Sequence, residues 1–288
     1  MQPVFVLGVG AQKAGTTWLH NYLQERPDTD MGMVKEYHVL DVRVTPGITD
    51  HGAKRARQLR EFGWFHRFLP ASRQAPVWRL HRMERDLEQY FDYFQGLLRK
   101  PGIRITGDIT PSYSALPVEA LEQVKEGFAA RGITVKVVFL MRDPAERALS
   151  ASRRHREKYP ELCPSGDLED VMKALCRTEE YEARARYEQT LARLKQVFAP
   201  EDTFLCLYEN LFTPASIERL CTCLGMPVVP ARFDERINSA GDRMALAPEL
   251  RRELHAFYRS TIEGVVPHLG RAEVGAAWPG ALEASEAA

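Results

Sequence analysis

The 288-residue sequence predicts an α/β protein, a P-loop-type three-layer fold with a central, mostly parallel sheet flanked by helices. Three observations predict it. A Val-rich apolar run, PVFVLGVG (3–10), ends in glycines and leads straight into a helical stretch. Apolar runs of strand length then alternate with amphipathic stretches of helix length, the pattern of βαβ units. Hydrophobic residues make up 44% of the chain, enough to bury a sheet covered on both faces.

Each element follows from local pattern. PVFVLGVG lacks alternation, so it reads as a strand buried on both faces. TTWLHNYLQERP (16–27) reads as a helix stopped by Pro27. IRITGDI (103–109) and ITVKVVFLM (133–141) are the next strands. PVEALEQVKEGFAARG between them is a crossover helix ending at Gly132. PAERALSASRRHREK (144–158) is a helix with Asp143 as N-cap and Pro144 in its first turn. DTFLCLYENL (202–211) reads as a fourth strand and APELRRELHAFYRSTIEGVV (247–266) as a late amphipathic helix. Residues 1–280 are expected to form one domain, and 281–288 a disordered tail. Residues 45–100 interrupt the alternation. Their runs KRARQLREFGWFHRFL and VWRLHRMERDLEQYFDYF read either as surface helices with a solvated basic face or as a lid over an acceptor.

Charge and cysteine content narrow the function classes. Lys plus Arg and Asp plus Glu both number 39, so the formal net charge is zero. That argues against nucleic acid as a partner and leaves room for a local basic cleft. Five cysteines, at 163, 176, 206, 221 and 223, show no CxxC spacing, so no metal is expected and reduced thiols in a cytoplasmic protein are the reading. Cys163 and Cys176 could pair in an exported chain. No basic n-region with a cleavage site is visible, and no run approaches the ~18 apolar residues of a membrane span. Oligomeric state is not legible.

The informative stretch is GAQKAGTTWLHNYL (10–23). Gly10 and Gly15 have the spacing of a Walker loop, GxxxxGK followed by Ser or Thr, but Thr16 stands where the lysine belongs. Lys13 lies inside the loop instead. The loop amides and the helix N-terminus still favour an anion. No apolar strand ends in an acid of Walker B type, a weak sign that magnesium is not required. One lysine suits a phosphosulfate, whose bridging oxygen it can neutralise as the S–O bond breaks. The stretch resembles the 5′-phosphosulfate loop of sulfotransferases that use 3′-phosphoadenosine 5′-phosphosulfate (PAPS). That resemblance implies PAPS as donor, bound at Lys13, Gly15, Thr16 and Thr17 with backbone help from Ala14 and Trp18.

KVVFLMRDPAERALSASRRH (136–155) supplies a second anion site. Arg142 follows a strand at its carboxyl edge, where ligands of open α/β sheets sit. Ser150 lies eight residues on, about two turns into the next helix. Arg142 could equally cap or pair with Glu146. The block is similar at every fixed position to the family's RDPxxRAxS motif, which implies that Arg142 and Ser150 bind the 3′-phosphate.

VKEYHVLD (34–41) gathers Lys35, Glu36, His38 and Asp41. In an extended segment Glu36 and His38 share a face. A carboxylate or a neutral imidazole there can take the acceptor proton. The stretch resembles the KExHFFD motif of the Golgi heparan-sulfate sulfotransferases, above all the glucosaminyl 3-O type, with Val39 and Leu40 in place of the two Phe. It implies Glu36 as base, His38 as auxiliary, Asp41 as orienting group and Lys35 as a substrate contact. GDITPSYS (107–114) resembles that group's EKTPxYF stretch, which places Tyr113 at the acceptor; Ile109 replaces the group's lysine, a departure that leans away from long sulfated glycans and leaves Lys13 and Lys35 as the active-site cations. RARYEQTLARLKQVF and NSAGDRMALAPELRRELHAFY are weaker matches. They offer Tyr187 as a core residue or a ligand contact, and Ser239 and Arg243 at a loop over the 3′-phosphate. The chain is thus expected to be a bacterial, metal-independent sulfotransferase acting on a sugar, phenol or small-molecule alcohol. A P-loop kinase and a non-catalytic nucleotide- or anionic-glycan-binding protein are the alternatives.

Overall fold

Strands Val4–Gly10 (β1), Ile105–Ile109 (β2), Thr134–Met141 (β3) and Thr203–Leu207 (β4) form one wholly parallel sheet in the order β2–β1–β3–β4. The computed structural model describes residues 2–45, 50–61, 75–162, 167–233 and 246–286. Val4–Gly8 pairs residue for residue with Ile105–Ile109 on one side and with Thr134–Val138 on the other. Every residue of β1 is buried, as its unbroken apolar run requires.

The helices are α1 (Thr16–Gln24), α2 (Leu40–Val44), α3 (His51–Glu61), α4 (Pro76–Arg85), α5 (Leu87–Leu98), α6 (Val118–Ala129), α7 (Pro144–Lys158) and α8 (Leu168–Cys176). The chain continues with α9 (Glu179–Ala183), α10 (Tyr187–Val197), α11 (Tyr208–Leu211), α12 (Pro214–Leu224), α13 (Pro248–Phe257), α14 (Arg259–Leu269), α15 (Arg271–Ala277) and α16 (Ala281–Glu286). They form a layer on each face of the sheet. On one face Phe5 stacks on Phe128 of α6 with ring centroids 4.0 Å apart and meets Phe94 of α5 edge-on at 4.8 Å. On the other, Tyr22 of α1 reaches Cys221 of α12. Fully buried aromatics such as Phe5 and Phe128 each contribute roughly 2–3 kcal/mol to the fold.

Asp143 caps α7 as its sequence suggests, accepting from the amides of Ala145 at 2.8 Å and Glu146 at 3.4 Å. Three expectations differ. The fourth strand stops at Leu207, because the chain turns there into α11 and spends Glu209 on the Asp143 amide and the Trp278 indole. The late helix is two, broken at Tyr258. The stretch expected to be a disordered tail is helical over Ala281–Glu286, with Ala281 buried in the main core. Cys163 lies outside the described residues, and Cys176 is a buried free thiol. Among the described residues no helix is long and apolar enough to cross a membrane.

All four strands run the same way, so their carboxyl ends share one edge of the sheet. Lys13 follows β1, Asp108 is the penultimate residue of β2 with Thr110 and Ser112 just beyond the strand, Arg142 follows β3 and Tyr208 follows β4. The topology alone brings these side chains together.

Candidate active site

The loop from Ala11 to Gly15 turns β1 into α1. Gly15 caps the helix in the left-handed region at φ +88°, and a Cβ there would meet Leu211 Cδ2 at 2.8 Å. Only glycine lets α11 approach this closely. Ala14 and Thr16 are buried, Thr17 is half-buried, and Trp18 is fixed by a bond from Nε1 to the Arg232 carbonyl at 3.1 Å. The Lys13 ammonium is partly buried. Burial lowers its pKa, and the nearby charges of Arg154, Arg142 and Lys35 lower it further against Glu157 alone. The three cations around Lys13 each have a carboxylate of their own, Glu36 on Lys35, Glu146 on Arg142 and Glu157 on Arg154, and an anion bound at Lys13 would offset the repulsion that remains among them.

Arg142 is the second member. Its Nη1 donates to the Lys13 carbonyl at 3.2 Å, and its guanidinium lies 4.7 Å above the Tyr208 ring. Tyr187, fully buried, donates its hydroxyl to the Arg142 carbonyl at 3.0 Å. Tyr187 is therefore a core residue that positions Arg142. The expected pairing with Glu146 is loose, at 3.7 Å, because Glu146 has Arg251 at 2.5 Å. Among the described residues the buried Arg142 Nε has no hydrogen-bond partner, so one prong of its fork lacks a protein acceptor. Ser150 sits half-buried on α7, and Arg154 lies one turn later on the same helix face.

A row of charged side chains adjoins this cluster. Lys35 Nζ lies 2.5 Å from Glu36 Oε1, and Glu36 Oε2 lies 3.3 Å from His38 Nε2. The other His38 nitrogen, Nδ1, lies 2.8 Å from Asp41 Oδ2, which also accepts from Ser112 at 2.6 Å. Burial opposes charge on Glu36, yet the His38 hydrogen bond and the Lys35 ammonium bring its pKa down to about 2. Burial likewise opposes a proton on His38, but its bonds to Asp41 and Glu36 raise it to about 9. Asp41, wholly inaccessible, is held below the usual carboxylate range despite burial by the same histidine and by Ser112. At neutral pH the row is therefore ammonium, carboxylate, imidazolium, carboxylate.

The segment carrying this row is not an extended strand; His38 has φ +50°. It is hung from the end of β2. Thr110 Oγ1 accepts from the Tyr37 amide at 3.0 Å, and Tyr113 Oη accepts from the Val39 amide at 3.2 Å. Both hydroxyls donate to the buried Asp108, at 2.6 and 2.7 Å, and Tyr90 adds a third donor at 3.0 Å. Burial pushes Asp108 up to about 6 against those three donors. Tyr113 was expected at the acceptor. It is 1% exposed and its hydroxyl is fully engaged, so it anchors the loop instead.

The structure thus brings together Lys13, Lys35, Glu36, His38, Asp41 and Arg142 at one sheet edge. Ser239 and Arg243 lie outside the described residues. Sequence reasoning missed Ser112 and Arg154. Arg154 had a usable signal, four residues beyond Ser150; Ser112 had none, since only the fold brings it to Asp41. Among the described residues no group of three or more His, Cys, Asp and Glu is arranged to hold a metal ion.

Comparison with known proteins adds to this geometry. A family model described as the sulfotransferase family matches residues 3–230. No curated protein is matched. Among solved structures, a sulfotransferase from Alicyclobacillus acidocaldarius is similar at 20% identity and a TM-score of 0.62, covering 93% of this chain and 96% of that one. A sulfotransferase domain of an olefin synthase from Synechococcus PCC 7002 is 15% identical with a TM-score of 0.49, covering 92% and 93%; a likeness that weak adds no argument. At such identities the first similarity speaks to the fold alone.

Proposed function

Because this chain belongs to the sulfotransferase family, we propose that it moves a sulfuryl group from PAPS to the hydroxyl of an acceptor. The observation that supports this reading is the junction of two charge arrays. Lys13, Arg142, Arg154 and Lys35 form a cation cluster, and Lys35 is also the first member of the row through Glu36, His38 and Asp41. A donor with a phosphate at one end and, at the other, a phosphosulfate whose terminal sulfuryl group is transferred fits such a junction.

The residues present fit that donor. Arg142 Nε is a buried donor with no acceptor among the described residues, and a guanidinium fork suits a phosphate. Arg142 and Ser150 hold the 3′-phosphate. Lys13, the hydroxyls of Thr16 and Thr17, and the amides of Gly15 and Trp18 hold the 5′-phosphosulfate, while the Ala14 amide, bonded to the Ala11 carbonyl at 3.2 Å, shapes the loop. PAPS supplies the activated sulfuryl group. The acceptor oxygen forms a bond to sulfur as the bond from sulfur to the phosphate oxygen breaks, and Lys13 balances the charge left on that oxygen. The acceptor proton passes to Glu36. Of the two candidate bases only Glu36 is in its basic form at neutral pH, since His38 already holds a proton. An anionic donor competes with Glu36 for Lys35, and as that ion pair loosens the carboxylate regains basicity. His38 and Asp41 hold it in place. No metal is required in this scheme.

The Glu36–His38–Asp41 spacing is that of the glucosaminyl 3-O group, while Ile109 departs from it, so the acceptor class proposed is a sugar, phenol or small-molecule alcohol. The test is transfer from radiolabelled PAPS to a panel of such acceptors without added metal, beside calorimetry with 3′,5′-bisphosphoadenosine and ATP. Label transfer and bisphosphate heat are expected. Heat with ATP alone points to a P-loop kinase; donor binding without turnover on any acceptor points to a binding protein.

A further inference from the structure

The mechanism leaves unused an imidazole that lies against the charged row. His51, the first residue of α3, lies flat on His38, with ring centroids 3.4 Å apart and planes 12° from parallel. Two further contacts hold it there. Gly52 lets α3 approach α2 so closely that a Cβ would meet Val42 Cγ1 at 3.0 Å. Arg55, one turn on and on the same helix face, is buried and donates to the Tyr37 carbonyl at 2.8 Å while pairing with Glu84. So α3 is fastened to the segment that carries Glu36 and His38, and the fastening presents an aromatic face to the histidine.

We propose that His51 is a positioning residue of the charged row. Its ring holds the His38 ring in the plane from which Nε2 reaches Glu36 and Nδ1 reaches Asp41, and it keeps water from that face. An imidazolium is stabilised by a neutral aromatic face as other cations are. His51 meets that condition: burial and the adjacent charge of His38 hold its own pKa down at about 4. The charged groups around it are His38 and Asp41 on the loop, and Asp50 and Lys54 on α3. Lys158 and Tyr159 at the end of α7 in turn face Asp50 and Lys54. The proposal rests on the sulfotransferase reading only for its kinetic consequence; the stacking and its effect on His38 stand without it.

The experiment compares wild type with His51→Ala and His51→Phe. The His38 imidazole is titrated by NMR in the ligand-free protein, and kcat and the KM for PAPS are measured on whichever acceptor is active. In His51→Ala the His38 pKa falls by roughly 0.4–1.5 and kcat by roughly 3- to 30-fold, the equivalent of one cation–aromatic contact, with KM for PAPS unchanged. His51→Phe restores both, because it keeps the face and discards the nitrogens. The proposal is overturned if His38 titrates alike in all three folded proteins, or if the phenylalanine variant is as impaired as the alanine one. Absence of sulfuryl transfer in wild type defeats the functional reading while the titration still decides this one.

Discussion

Arg142 donates from Nη1 to the backbone carbonyl of Lys13 at 3.2 Å, so the cation that ends β3 is tied to the cation inside the first loop. The two proposed ends of the donor site are thereby held at a fixed separation before any nucleotide arrives. Lysine cannot reproduce a fork that bonds a carbonyl, lies over Tyr208 and still offers Nε. Arg142→Lys is expected to weaken binding of 3′,5′-bisphosphoadenosine by roughly 10- to 100-fold, the loss of charge-assisted bonds. Thermal stability should barely move. Calorimetric titration measures it, and an unchanged affinity would remove Arg142 from the site.

Glu36→Gln keeps the size of the side chain and removes its basicity. Turnover should fall about 10²- to 10⁴-fold, the ordinary contribution of a general base, with bisphosphate affinity within a few-fold of wild type. If turnover survives at near-wild-type rates, the proton leaves by another route.

His38 makes stability depend on pH in a calculable direction. Its folded pKa of about 9 lies above the unfolded value of 6.5, so its ion pairs contribute fully below pH 6.5 and are lost as pH rises through 9. The difference, 9 minus 6.5, corresponds to at most about 3 kcal/mol, shared with Glu36 and Asp41. Denaturant melts from pH 6 to 10 should show the decline in wild type and a flatter curve in His38→Gln. A wild-type curve that rises across that interval contradicts the assignment.

Tyr113→Phe separates anchoring from substrate contact. It strips the hydrogen-bond partner from the Val39 and Leu40 amides and from Asp108. A stability loss of about 1–3 kcal/mol is expected, since those groups are buried. Because the loop it anchors holds Glu36 and His38, kcat should drop while the acceptor KM holds. A rise in acceptor KM alone would instead return Tyr113 to the acceptor surface.

Gly15→Ala should damage loop and fold together. The residue sits at φ +88° and its new methyl would press on Leu211 and Tyr208. A cost of about 1–3 kcal/mol and weakened bisphosphate binding are expected, checked by melting and calorimetry. A variant of native stability and affinity would mean that the loop relaxes without consequence.

The sheet was legible because β1 and β3 are too apolar to be anything but buried strands, and because Asp143–Pro144 announces a helix start. The end of β4 was not legible. Its apolar pattern continues through Tyr208 and Leu211, and only the tertiary demands of Asp143 and Trp278 on Glu209 turn the chain there. At the site, Lys13 and Arg142 stood out as cations beside a glycine loop and a strand end, and Glu36 and His38 through the resemblance of VKEYHVLD to a family motif. Tyr113 was expected at the acceptor from the resemblance of GDITPSYS to a family stretch, whereas the structure buries it and spends its hydroxyl on the loop. Ser112 and His51 gave no local sign at all. Each acts across more than ten residues of sequence, through contacts that exist only once β2 and α3 have closed on the segment between them.

The fastening of α3 onto the Tyr37 carbonyl through Arg55 bears on how such an enzyme can be altered. Exchanging residues 45–100, the segment expected to be a lid over the acceptor, for another relative's would also replace the surface against which His38 rests. On that expectation, selectivity and turnover are mechanically joined. Engineers should expect chimeras to show displaced pH optima unless His51, Gly52 and Arg55 travel unchanged with the host.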